Sequence, residues 1–225
     1  MAVNGSTNSA APFIHLRVHS AYSLLEGALT ISKIVDHAVA SGAPAVGIAD
    51  TNNLFGALEF AQKASKAGVQ PIIGCQVSVD FGDAGQGGVP ARRHDAPLPS
   101  ILLIAANETG YGNLVRLVSR AYMDSPVGDS VHVPVDWLAD LAGGIIALTG
   151  GSLGPVDELI ETAHDAAVAR LAQLKAAFGN RLYIELQRPQ GYSKAHEAAM
   201  IALAYSENLP LVATNDVYFP KADLY

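Results

Sequence analysis

Residues 45–79 read AVGIADTNNLFGALEFAQKASKAGVQPIIGCQVSV, and the pattern in this stretch repeats through the chain. Ala45 to Ala49 and Pro71 to Val79 are short, largely apolar runs of the kind that form strands covered on both faces. Between them, Gly56 to Ala67 places apolar residues at helical spacing and stops at Gly68, whose missing Cβ suits a helix C-cap. The unit predicts strand, helix, strand.

Upstream, Phe13 to Val18 reads as a strand, and Thr30 caps a helix running to about Ser41. Downstream, Ile101 to Ala105 is a strand followed by a helix over Gly110 to Ala121, and a short helix at Asp136 to Leu141 precedes a strand at Gly144 to Leu148. An Ala-rich helix from Ala163 to Phe178, a strand at Leu182 to Leu186, a helix at Lys194 to Glu207 and a strand at Leu211 to Ala213 complete the alternation. An α/β domain follows, with a parallel sheet covered by helices, either closed as a barrel or open and doubly wound. We favour the barrel.

Two segments break the rhythm. Phe81 to Pro99, rich in Gly, Pro and Arg, is too long for a plain connection and predicts a mobile insertion. Asp124 to Pro134 is a shorter interruption. Met1 to Ala11 is small and polar, without the basic-then-apolar order of a signal peptide, and predicts a disordered leader before a single domain at 12–225. The stop at Leu224-Tyr225, just after a strand, is the ending expected of a fragment.

Half of the 225 residues are hydrophobic, and the formal net charge is −7. The acidic balance speaks against the chain gripping phosphate backbones itself, which takes clustered Lys and Arg. No apolar run is long enough to cross a bilayer. Cys75, the single cysteine, cannot form an internal disulfide and lies in an apolar run, so it predicts a buried thiol in a reducing cytoplasm.

Parallel α/β folds carry their chemistry at the C-terminal ends of strands. Arg17-Val18-His19-Ser20 and Tyr22 to Gly27 follow the first strand, Asp50-Thr51-Asn52-Asn53 the second, and Gly74-Cys75-Gln76-Val77 belongs to the third. Thr149-Gly150-Gly151, Glu185-Leu186-Gln187-Arg188 and Thr214-Asn215-Asp216-Val217-Tyr218 close the fifth, sixth and last. On the residues alone, His19, Glu26, Asp50, Glu185 and Asp216 form a polar rim around one mouth. Carboxylates and one imidazole could bind a divalent metal, although a tight transition-metal site gathers several His or Cys ligands. Helix capping and loop bonding are the alternative for the same side chains. His15 predicts a satisfied core histidine, His37, His164 and His196 solvated or packing roles on helices, Trp137 a core anchor, and Arg92, Arg93 and His94 a solvated loop tip.

The order of several segments resembles the PHP (polymerase and histidinol phosphatase) domain that opens bacterial replicative DNA polymerase III alpha subunits. Phe13 to Ser20 with Tyr22 to Ala28 is the most specific piece. Ala49-Asp50, Asn53-Leu54-Phe55-Gly56, Pro71-Ile72-Ile73-Gly74, Ala106 to Leu114, Leu148-Thr149-Gly150 and Leu211 to Val217 follow in order. The resemblance implies a distorted, TIM-like (β/α)7 barrel. It also implies a cluster of metals in the mouth of active members, where this sequence departs from the pattern. Arg17 and Thr51 stand where the family has His, Gln76 where it has Glu, Gly151 where it has Cys and Tyr218 where it has the final His. Pro189 or its neighbour replaces a further His. His19 and Asp216 are retained, with Glu26 a longer stand-in for an Asp.

An Arg guanidinium is permanently charged and cannot coordinate a metal. Arg17 is therefore expected to pair with Asp216, Asp50 or Glu26 and to replace part of the cations' charge. What the resemblance implies for function is a non-catalytic module of a cytoplasmic replicase that stabilises the polymerase and docks the proofreading exonuclease among other replicase subunits. No cofactor is expected in this domain. Mg²⁺ and DNA would be engaged only by other domains of the parent polymerase. An active metal-dependent phosphoesterase or 3′–5′ exonuclease is the alternative, against which the lost ligands speak. A free-standing sugar- or phosphate-binding barrel is disfavoured by the absence of a Gly-x-Gly-x-x-Gly loop.

Overall fold

The computed structural model describes residues 13–92, 96–126 and 128–220. The leader at 1–11, Arg93, His94 and the Leu224-Tyr225 end lie outside the described residues.

Thr30 starts α1 (Ile31–Ala40) by accepting the Lys33 amide on its side-chain oxygen, which satisfies one of the free N–H groups of the first turn. The chain then enters β1 (Ala45–Thr51), crosses over through α2 (Ala57–Lys66), and returns in β2 (Gln70–Asp80) parallel to β1, with Ala45 opposite Gln70 and Thr51 opposite Gln76. β1 is buried along almost its whole length, as an apolar strand covered on both faces must be.

The third long strand departs from the all-parallel expectation. β3 (Ser100–Ala105) runs antiparallel to β2, with Gly74 opposite Ile104. The described residues of its connection from β2 contain no crossover helix, and a connection without one brings the chain back at the same end of the sheet, where the only available pairing is antiparallel. α3 (Glu108–Asp124), capped by the Asn107 side chain on the Gly110 amide, leads to β4 (Val133–Pro134), a two-residue strand beside the end of β2. That strand was too short to carry a sequence signal. After α4 (Asp136–Leu141), β5 (Ile145–Leu148) pairs antiparallel with β3. α5 (His164–Phe178), β6 (Leu182–Leu186), α6 (Lys194–Ser206) and β7 (Leu211–Ala213) complete the series, with β5, β6 and β7 mutually parallel. The sheet order is β1-β2-β3-β5-β6-β7.

Phe13 to Val18 forms no regular strand, yet it does a strand's work. The Gly47 amide donates to His15 O at 2.7 Å and the Ala49 amide to Val18 O at 2.9 Å, which ties the segment to β1. On its other side the His19 amide donates to Val217 O at 2.8 Å and the Val217 amide to Arg17 O at 3.2 Å. The segment thus bridges β1 to the stretch beyond β7 and curls the sheet into a distorted barrel. Close approach requires Gly47, because a Cβ there would lie 2.4 Å from Leu16 O.

The long connection at 81–99 is anchored in its described part. Phe81 and Val89 are buried, and Arg170 on α5 grips Asp83 with two hydrogen bonds of 2.7 and 2.8 Å while also bonding Glu158. The composition that suggested a mobile insertion belongs to a loop stapled down by a buried guanidinium. Trp137 is half-buried against the core, with the Arg120 guanidinium 3.7 Å above its ring. Phe60, Ile101, Leu103, Leu114 and Leu138 are fully enclosed, each contributing about 1.5–3 kcal/mol by leaving water.

Candidate functional site: a guanidinium-centred barrel mouth

Arg17 sits at the centre of the mouth with none of its surface exposed. Its guanidinium is surrounded by acceptors from four other parts of the chain. Nε donates to Asp216 Oδ1 at 3.0 Å, Nη1 to Glu185 Oε2 at 3.2 Å and to Gly150 O at 2.9 Å, and Nη2 to Gln76 Oε1 at 2.5 Å. A buried cation is tolerated only when paired and fully hydrogen-bonded, and here two carboxylates and two neutral oxygens meet that requirement. Glu185, Gly150 and Asp216 lie at or just beyond the ends of β6, β5 and β7, and Gln76 lies within β2, which is how residues up to 199 positions apart converge.

Glu185, at the end of β6, also accepts the Gly150 amide at 3.0 Å and the hydroxyl of Thr214, and it receives Gln187 Nε2 at 3.2 Å. On the far side of Asp216, His19 Nε2 lies 2.9 Å from Oδ1, and its Nδ1 lies 3.3 Å from Ser23 Oγ. The imidazole stacks on the Tyr218 ring with centroids 4.2 Å apart, and the Tyr218 hydroxyl donates to Asp216 Oδ2. Burial acts to raise the Asp216 pKa, but the His19 hydrogen bond and the charge of Arg17 together hold it below the usual carboxylate range. Burial and the Asp216 charge push the Tyr218 phenol upward, so it stays protonated and remains a donor.

The expected partners of Arg17 separate in space. Asp216 is one of them, whereas Asp50 and Glu26 are not. Asp50 is enclosed by Ser20 and Ser23, accepting the Ser20 amide at 2.6 Å and the two hydroxyls at 2.7 Å each. Glu26 is exposed and accepts the Thr51 hydroxyl at 2.6 Å. The Thr51 amide in turn donates to Ser23 Oγ. Gly151 adopts a positive φ of 56°, and a Cβ there would come within 2.3 Å of Gln187 Cδ. The Gln187 side chain therefore covers the position from which a larger residue would face the mouth. Glu185 was legible as a strand-end carboxylate. The Gly150 carbonyl and Gln187 were not, because a backbone acceptor and a neutral amide carry no sequence signal of their own.

The donor set does not suit a metal cluster. A permanent cation occupies its centre, and the oxygens around it are committed to that cation. Among the described residues no group of three or more His, Cys, Asp or Glu is arranged to hold a metal ion.

One histidine departs from its sequence reading. His15 is not a satisfied core group, since its buried Nδ1 has no hydrogen-bond partner. His196, on the first turn of α6, takes the packing role, with Nε2 3.1 Å from Asp157 Oδ1. Burial pushes the Asp157 pKa up to about 7 against the opposing effect of that histidine. Cys75 is fully buried, and desolvation raises its thiol pKa. No helix among the described residues is long and apolar enough to cross a membrane.

The family pattern of the PHP domain matches residues 15–189. Over 95% of its length the chain is 48% identical to the DNA polymerase III subunit alpha of Caulobacter vibrioides, and over 92% it is 36% identical to that of Escherichia coli K12. It spans only 18% and 17% of those two proteins. Among solved structures, a candidate metal-dependent phosphoesterase from Bifidobacterium adolescentis shares the fold with a TM-score of 0.61 at 12% identity, covering 93% of this chain and 89% of that one.

Proposed function

Because the chain belongs to the PHP domain family and is matched almost end to end by polymerase III alpha subunits, we propose that it is a non-catalytic PHP domain of a cytoplasmic replicative DNA polymerase. In this reading it stabilises the polymerase and docks the proofreading exonuclease. Template-directed DNA synthesis, its Mg²⁺ and the contacts to DNA belong to the rest of the parent protein. The observation that carries the proposal is Arg17, a buried guanidinium at the centre of the mouth that donates to Glu185, Asp216, Gln76 and Gly150. Water activation by metals needs open coordination positions and free ligands, and this centre offers neither. The acidic surface, net −7, supports leaving DNA to other domains.

The test is hydrolysis by the purified chain of a generic phosphoester and of a primed single strand, with added Zn²⁺, Mn²⁺ or Mg²⁺. The expected result is no turnover above the metal-only control. Turnover that chelation abolishes would replace this reading with that of an active phosphoesterase or exonuclease.

A further inference from the structure

Away from the Arg17 centre, a cavity of about 230 Å³ is walled by α6, the end of β6 and the turns at 152–161. Arg17, His19 and Asp216 do not line it, so it is separate from the mouth. Asp157 does line it, with a side chain only 8% exposed. Its Oδ1 faces His196 Nε2 at 3.1 Å, while its Oδ2 is buried and finds no hydrogen-bond partner among the described residues. A buried carboxylate oxygen without a donor is costly. We infer that this cavity is a binding site for a small alkylammonium ion, which donates to Asp157 Oδ2 and lays its hydrocarbon part against Leu186, Pro189 and Met200. The inference is independent of how the mouth and the proposed function are read.

Charge and donor counting select the ligand. Asp157 and Glu161 bring two carboxylates to the cavity, and His196 stands between them, with Nε2 on Asp157 and Nδ1 3.9 Å from Glu161 Oε2. Glu197 adds nothing to the balance, because Arg188 neutralises it through bonds of 2.7 and 2.8 Å. Even with His196 protonated, the two ionised carboxylates lack one positive charge. An ionised carboxylate accepts hydrogen bonds only, and an ammonium supplies three N–H donors. A divalent metal fits less well, since no group of three or more His, Cys, Asp or Glu among the described residues is arranged to hold one. The volume lies below the roughly 300–1,000 Å³ of sites for drug-sized ligands, which restricts the occupant to a few carbons.

The same carboxyl makes binding depend on pH. Burial raises the Asp157 pKa to about 7, with His196 on α6 pulling it down and Glu185 on β6 pushing it up. Glu161 and the Glu197–Arg188 pair are the other charged groups beside the cavity. An alkylamine, like a lysine side chain, stays charged to about pH 10, and its charge favours the ionised carboxylate. Affinity therefore rises about tenfold between pH 6 and pH 8, as Asp157 gives up its proton.

The experiment titrates butylammonium into the purified protein at pH 8 and follows the backbone amides of 157–161 and the His196 ring by NMR. Butanol, with the same hydrocarbon part and no charge, and Mg²⁺ are the comparison probes; Asp157→Asn and the half-exposed Glu161→Gln are the variants. Butylammonium is expected to give saturable shifts at these residues, and butanol none. Asp157→Asn should weaken binding by about tenfold or more, as loss of a charged hydrogen bond implies, and Glu161→Gln by about two- to fivefold. Equal binding of butanol, or unchanged affinity in Asp157→Asn, would overturn the inference by leaving an apolar hole without charge selection. Saturation by Mg²⁺ and not by butylammonium would replace it with a metal site, and the absence of any shift with butylammonium would remove the site altogether. An affinity that does not rise between pH 6 and pH 8 would exclude Asp157 as the group that receives the cation.

Discussion

Arg17 carries more of the account than any other side chain, and its energetics are those of a buried ion pair. Glu185 and Asp216 pair with different nitrogens of its guanidinium, and truncating one member of such an arrangement leaves the others buried without compensation. Arg17→Ala is therefore expected to cost about 3–5 kcal/mol of unfolding free energy, read by chemical denaturation. Arg17→Lys retains the charge but not the planar fork of donors, and is expected to recover only part of that loss. An unchanged midpoint in Arg17→Ala would mean that the guanidinium is not what holds the mouth together. Asp157 gives a second, pH-dependent expectation. Burial raises its pKa to about 7 in the fold from the ordinary aspartate value of 3.8, so between those values the folded chain binds more protons than the unfolded one. Its contribution to stability is fully present below about pH 4 and is lost as pH rises through about 7. Asp157→Asn should flatten the decline in melting midpoint across that window, whereas an identical pH profile in both proteins would contradict the assignment. The sequence exposed Arg17, His19 and Asp216 as members of one mouth because each sits in a strand-end motif. It did not reveal the His196–Asp157 pair, because neither residue lies at a strand end and the contact joins segments 39 residues apart.

Helices and strands were legible wherever burial imposes a period. α4 and β7 fall at the residues their patterns predicted, and α1 starts at the capping Thr30. The direction of β3 was not legible, because an apolar run reads alike whether its neighbour is parallel or antiparallel; only the missing crossover helix in 81–99 could have hinted at it. The first segment shows the opposite limit. Its apolar pattern predicted a strand, and the backbone makes strand-like bonds to β1 and to Val217 without regular pairing. Gly47 controls that junction. Gly47→Ala would drive a Cβ to within 2.4 Å of Leu16 O, and because the obstacle is backbone, an overpacking cost of about 1–3 kcal/mol is expected. Limited proteolysis should then cut in the 13–20 segment of the variant before cutting elsewhere. Equal resistance of variant and wild type would show that the segment does not depend on this close approach.

At the scale of the whole molecule, the barrel shares its fold with the Bifidobacterium adolescentis protein, and its own mouth is held by charge-assisted hydrogen bonds. A shape shared at 12% identity fixes where chemistry would occur and says nothing about whether it does. The proposed non-catalytic reading rests instead on the residues of the mouth, where the Arg17 guanidinium engages Glu185 and Asp216. The measurement that bears on this most directly is the metal content of chelator-free protein by elemental analysis, paired with melting curves taken before and after chelation. The account predicts substoichiometric Zn, Mn and Fe and a melting midpoint that chelator does not move. One or more metals per chain, with a midpoint that falls on chelation and recovers on metal return, would contradict it.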